Sequence, residues 1–131
     1  MIFVEGGRSK QRSLTYKLVS FAWMQLMPRI TKCDLNVTLK NMKVYHGTCL
    51  DIDNREFQID IDRKLKGDDF ITTVFHEMVH VKQIIRGELW TECNFYKTHE
   101  EYMSQPHEIE AYHMQEVLLE RWRNRNVKEK V

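Results

Sequence analysis

Residues 70 to 86, FITTVFHEMVHVKQIIR, constrain the fold of this chain more than any other stretch. Wound at ~100° per residue with Ile71 at zero, Val81, Val74, Ile85, Met78, Ile71, Phe75 and Val79 fall in one arc, from roughly 280° through 0° to 80°. His76 and His80 project elsewhere, near about 140° and about 180°. Such a helix must lay its apolar arc on a sheet or another helix and carry both imidazoles away from that contact. The i, i+4 spacing stacks the two rings one turn apart, so both can reach a single ion at roughly 2.0 to 2.1 Å. Glu77 is too close to be a third ligand from the same turn, but it is well placed to reach a water on that ion. For either histidine alone, plain solvent exposure is the simpler account; the complete HExxH pattern in helical register favours a metal site.

A catalytic zinc takes three protein ligands and keeps a fourth position open, so a further donor is expected downstream. The segment PHEIEAY, residues 106 to 112, supplies two candidates. With Glu108 at zero, Met114, Leu118, Ala111, Trp122, Leu119 and Tyr112 occupy roughly 240° through 0° to 40°, and Glu110 falls near about 200°. Glu108 therefore lies inside a buried stripe, where a carboxylate needs a partner. It is the expected third ligand, with Glu110 as the alternative. His113 falls on the polar face, His99 in a connecting segment, and His107 beside the glutamate.

The remaining chain reads as the frame for this site. Residues 1 to 12 lack periodicity and suggest a loose or partly paired arm. SLTYKLVSFAWMQLM, residues 13 to 27, suggests a helix capped by Ser13 and ended by Pro28. Short runs follow with β-type alternation: LNVTL, KVYHGTCLDI and FQIDIDRKL, with a turn centred on Asp53 and Asn54. They predict a small, mostly antiparallel sheet. Asp68 or Asp69 is the expected cap of the active helix, which should stop at Gly87. Residues 88 to 105 are long for a connection and carry Trp90, Phe95, Tyr96 and Tyr102, as a functional loop or lid would. Pro106 opens a long final helix.

Size and charge limit the rest. One domain is expected over residues 1–131. Net charge is +1, so the overall field gives no reason to expect nucleic acid or membrane partners, and the basic tail RWRNRNVKEKV complements a helix C-terminus. Three widely spaced cysteines write neither a disulfide framework nor a CxxC knuckle, and no apolar run approaches the ~18 residues of a membrane span. A reducing cytoplasmic setting is expected. Nothing in the sequence sets an oligomeric state.

HExxH with a later helical glutamate is the gluzincin arrangement, and HEMVHVKQ with QPHEIEAY resembles the small metallopeptidases encoded in phage and bacterial genomes. The second block is also similar to the ExxA ligand motif of ImmA/IrrE-type peptidases, with Glu108 three residues before Ala111. The likeness covers residues 57 to 116 and departs at His107, where an aromatic residue is usual. It implies an α+β zincin-like minimal metallopeptidase domain, with the sheet packed against the active helix between N- and C-terminal helices, acting on peptide or protein substrates in the cytoplasm, a host's if phage-encoded. FQIDID would be the strand that holds substrate. In the expected chemistry zinc is bound by His76, His80 and Glu108, Glu77 is general base and then acid, and Tyr112, Tyr102 or His113 helps stabilise the oxyanion. The alternative is a zinc-stabilised binding or regulatory module without hydrolysis; Glu77 favours the enzyme.

Overall fold

Gly6 and Gly7 decide how the chain begins. Both have left-handed φ angles, 81° and 61°, and a Cβ on Gly6 would overlap the Leu39 carbonyl oxygen, so glycine alone lets the backbone turn so close to its neighbour. The turn joins strand β1 (Ile2–Gly6) to helix α1 (Ser9–Leu26). The computed structural model describes residues 1–88 and 105–129, with side chains to Arg125. Within it, the loose arm expected over residues 1 to 12 is corrected: β1 pairs in parallel with β2 (Asp34–Lys40). Five residues are too few to announce a strand by alternation. Helix α1 also starts ahead of the expected Ser13 cap, because the Gln11 side chain accepts a hydrogen bond from the Arg8 N–H at 3.0 Å and closes the first turn there. It stops before Pro28, as the sequence predicts.

The expected strands occur, as β2, β3 (Gly47–Asp53) and β4 (Glu56–Asp62), but the mostly antiparallel sheet does not. The four strands stand in the order β1-β2-β4-β3; β1 with β2 and β2 with β4 are parallel, and only β3 with β4 is antiparallel. The reason is the crossover: α1 carries the chain back along the sheet, so β2 must run the same way as β1. The hairpin turn falls one residue late, on Asn54 and Arg55, where Arg55 takes a left-handed φ of 56°.

Leu35, Val37 and Leu39 of β2 and Phe57, Ile59 and Ile61 of β4 alternate inward and are buried beneath the helices. Helix α1 packs on β1 and on α2 (Gly67–Ile85), which in turn crosses β3 and β4. Helix α3 (Pro106–Glu129) lies along α2, where Trp122 packs edge-on against Phe21 and Phe75 at 5.3 and 6.4 Å between ring centres. These elements share one core, a small α+β domain with a mixed sheet and three helices among the described residues. Helix α2 begins at Gly67 with Lys66 as its cap residue, so Asp68 and Asp69 are not caps but first-turn acids that complement the helix dipole. Arg123 of α3 bonds to Asp68 and ties the two helices together at that end. Gly87, with φ 69°, ends α2 as expected. Among the described residues no helix is long and apolar enough to cross a membrane, and Cys33 and Cys49 are free. The 88 to 105 segment expected to form a lid lies almost wholly outside the described residues.

Candidate metal centre

The apolar arc of α2 does face the core: Val74, Phe75, Met78, Val79 and Val81 are buried. The histidines point the other way and are buried too, at 9% and 8% exposure, because α3 covers that side. Glu108 is only 1% exposed. Its Oε2 lies 3.1 Å from His76 Nε2 and its Oε1 2.9 Å from His80 Nε2, while the two Nε2 atoms are 3.2 Å apart. Pro106 starts α3 two residues earlier, which puts Glu108 in the first turn, on the face that meets α2.

The opposite nitrogen of each ring meets a carboxamide. His76 Nδ1 is 2.8 Å from Gln115 Oε1, and His80 Nδ1 is 2.7 Å from Gln83 Oε1. An amide oxygen only accepts, so each Nδ1 carries a hydrogen, and in the neutral ring each Nε2 then presents a lone pair. Two lone pairs and a carboxylate converge on one point, and such a cluster stays together only around positive charge, whether a proton or a metal ion. Without a metal ion, a proton on His80 would supply that charge. Burial alone would raise the Glu108 carboxyl, but its bonds to His76 and His80 outweigh burial and hold it well below the usual carboxylate range. Burial likewise opposes charge on His80, yet the bond to Glu108 and the charges of Glu77 and Glu108 raise it.

Glu77 faces the same space from the side of the sheet. Its carboxylate and the ring nitrogens of His76 and His80 lie within 4.8 Å of one another, a group that could hold a metal ion. Between the two glutamates, Glu108 has the better geometry for a ligand, since it touches both rings. Burial pushes the Glu77 carboxyl up, with Glu108 adding to the effect and the two histidines opposing it. Gly47, the first residue of β3, sits against it: a Cβ there would stand 2.9 Å from Thr73 Cγ2 and 3.1 Å from Glu77 Cγ.

Glu110 stands outside the cluster, 2.8 Å from Gln83 Nε2 and 3.2 Å from Lys82 Nζ. Tyr112 is half exposed with its ring 4.6 Å from that of His76; burial, then the nearby carboxylates, push its hydroxyl pKa up and keep it a donor. His107 brings its ring to 6.0 Å from that of His80. His113 is exposed, and His99 and Tyr102 lie outside the described residues. One expectation is overturned: FQIDID, in β4, cannot receive an added strand, since it is paired on both sides. The antiparallel edge is β3, whose outer side is open among the described residues.

Comparisons of this chain with family models, curated proteins and solved structures found no match. The reading of the site therefore rests on its own geometry. Gln83, Gln115 and Gly47 were not singled out by sequence reasoning. Gln83 lies three residues after His80, and Gln115 seven after Glu108, so helical spacing alone would have put each beside a candidate ligand.

Proposed function

We propose that this chain is a zinc-dependent peptidase in which His76, His80 and Glu108 hold the ion and Glu77 is the general base. The observation that carries the reading is the convergence of three donor atoms opposite a buried carboxylate. An ion bound tetrahedrally at ~2.0 to 2.1 Å would separate two ligand nitrogens by about 3.3 Å; His76 Nε2 and His80 Nε2 are 3.2 Å apart. Two imidazoles with one carboxylate form a donor set that suits zinc and leaves a position open. Bound zinc supplies Lewis acidity, which lowers the pKa of water toward ~7 and polarises a carbonyl.

The protein's own groups do the rest. Glu77 takes the proton of the attacking water and passes it to the leaving amine, and the burial that raises its carboxyl brings it nearer the pH at which a base is most effective. Tyr112 stands beside His76 as a hydroxyl donor for the carbonyl oxygen. An extended peptide would add to the open side of β3, which starts at Gly47 against Glu77.

Metal analysis followed by digestion of a peptide library, with and without chelator, tests the proposal. About one zinc per chain is expected, with cleavage abolished by chelation. Glu77→Gln should retain zinc and lose on the order of 10²- to 10⁴-fold in rate. Zinc held by both proteins with no cleavage by either would favour the binding-module reading; absence of zinc affinity would refute both.

A further inference from the structure

We propose that Gln83 is a positioning residue that locks His80 into its metal-accepting tautomer and is itself locked by Glu110 and the His107 carbonyl. The inference rests on the metal-site reading above and adds a residue to it. Gln83 is 1% exposed and uses both ends of its amide. Its Nε2 lies 2.8 Å from the His107 carbonyl oxygen and 2.8 Å from Glu110 Oε1. Both partners only accept, so the NH₂ group must face them and the amide cannot flip without setting oxygen against oxygen. Oε1 is thereby aimed at His80 Nδ1, 2.7 Å away, and that nitrogen must donate.

Free neutral imidazole prefers its hydrogen on the other nitrogen, Nε2. In this site that tautomer would direct an N–H at Glu108 and leave no lone pair for an ion. The Gln83 amide thus enforces the less favoured form. Glu110 contributes through the amide; it is held in turn by Lys82, whose Nζ is 3.2 Å from Glu110 and 3.0 Å from Glu88. Most metal-bound histidines donate directly to a carboxylate or a backbone carbonyl. Here one carboxamide stands between the carboxylate and the ring, and it also joins α2 to α3. The arrangement at His76 is less constrained, since Gln115 Nε2 has an exposed partner, Glu116 Oε1, at 3.2 Å.

Two measurements test this on the full chain. Long-range ¹⁵N correlation spectra of metal-free Glu108→Ala protein, in which no carboxylate competes for a hydrogen at Nε2, report which nitrogen of neutral His80 carries hydrogen; zinc affinity of proteins that keep Glu108 follows from chelator competition. With Gln83 intact, His80 should be protonated at Nδ1 in that background. Gln83→Met should move the hydrogen to Nε2 in that background and, with Glu108 present, weaken zinc binding by roughly 10- to 100-fold, while Gln115→Met costs less. Glu110→Ala removes one of the two acceptors behind the amide. It should weaken zinc binding by roughly 10-fold or more; if Gln83→Met fails to fold, this variant decides. Retention of the Nδ1 form and of parental affinity in Gln83→Met, or parental affinity in Glu110→Ala, overturns the inference. A parent that binds no zinc refutes the peptidase reading instead, and the metal-free spectra still decide this one.

Discussion

Glu108 and Glu110 differ by two positions in sequence and should differ by orders of magnitude in their effect on zinc. Glu108 touches both ring nitrogens at 2.9 and 3.1 Å, whereas Glu110 reaches His80 only through Gln83. Zinc that binds the folded chain alone stabilises it by RT ln(1 + [Zn]/Kd), about 4 kcal/mol when free zinc is ~1,000 times the parental Kd. At about 2.1 cal/mol/K of unfolding entropy per residue, 131 residues give ~0.28 kcal/mol per degree, so the parent should melt about 15 °C higher with zinc than without. Loss of a charged ligand in Glu108→Ala should weaken binding ~1,000-fold or more, leaving RT ln 2 at most, about 0.4 kcal/mol and a shift of one or two degrees. Glu110→Ala, at the ~10- to 100-fold typical of an outer partner, should keep about 1.4 to 2.7 kcal/mol, a shift of about 5 to 10 °C. Calorimetric scans of the three proteins at one fixed free zinc concentration decide the matter. A large shift in Glu108→Ala with none in Glu110→Ala would show the ligand assignment to be wrong, and equal shifts in all three would show that neither residue serves the ion.

Metal-free and zinc-loaded protein should respond to pH in opposite ways. Glu108 is lowered, so its contribution is present above the unfolded value of ~4.3 and lost on acidification through the folded one; His80 is raised, so its contribution is complete below ~6.5 and lost as pH rises through its folded value. Metal-free protein should therefore melt highest between about pH 4.5 and 6.5, and the extra stability conferred by zinc should grow from pH 5 to 8 as His80 loses its proton; parallel melting curves with and without chelator check both trends. Gly47→Ala should shift Thr73 and Glu77 and reduce hydrolysis by about tenfold or more, with zinc affinity nearly unchanged, since misplacing a reacting group by ~1 Å costs up to 10²-fold. Tyr112→Phe should lower kcat by about 10²-fold while leaving KM and zinc content near parental values, if its hydroxyl stabilises the oxyanion; an unchanged kcat assigns that task elsewhere.

Side-chain direction on long helices was legible in the sequence. Both α2 and α3 run for more than four turns, so the angular order of apolar residues set Glu108 apart from Glu110 and put His76 and His80 opposite the core. Strand neighbours were not legible. Alternation in FQIDID marks a strand with one buried face but says nothing about which strands flank it, and chain order misleads here because β3 lies outside β4. β1 was missed for a related reason: IFVEG gains its meaning only from its register with Leu35 to Leu39, a pairing made after α1 has reversed the chain. Carboxamides were missed because glutamine is commonly a surface residue. What marks Gln83 is the pair of acceptors behind it, which exist only once α3 is docked.

That the third donor rides on the final helix has a consequence for synthesis. A ribosome delivers β1 to α2 first, and at that stage His76 and His80 can offer an ion only two nitrogens, with the His107 carbonyl and Glu110 not yet there to orient Gln83. The donor set is complete only when α3 has emerged and packed its Trp122 against Phe75. A nascent chain, or one cut before α3, would therefore hold metal weakly, and any hydrolytic power that depends on the ion would be withheld until α3 has docked. On the proposed peptidase reading, the order of elements along the chain acts as a timing device, keeping a cutting site silent while the chain itself, still partly unfolded, would be within its reach.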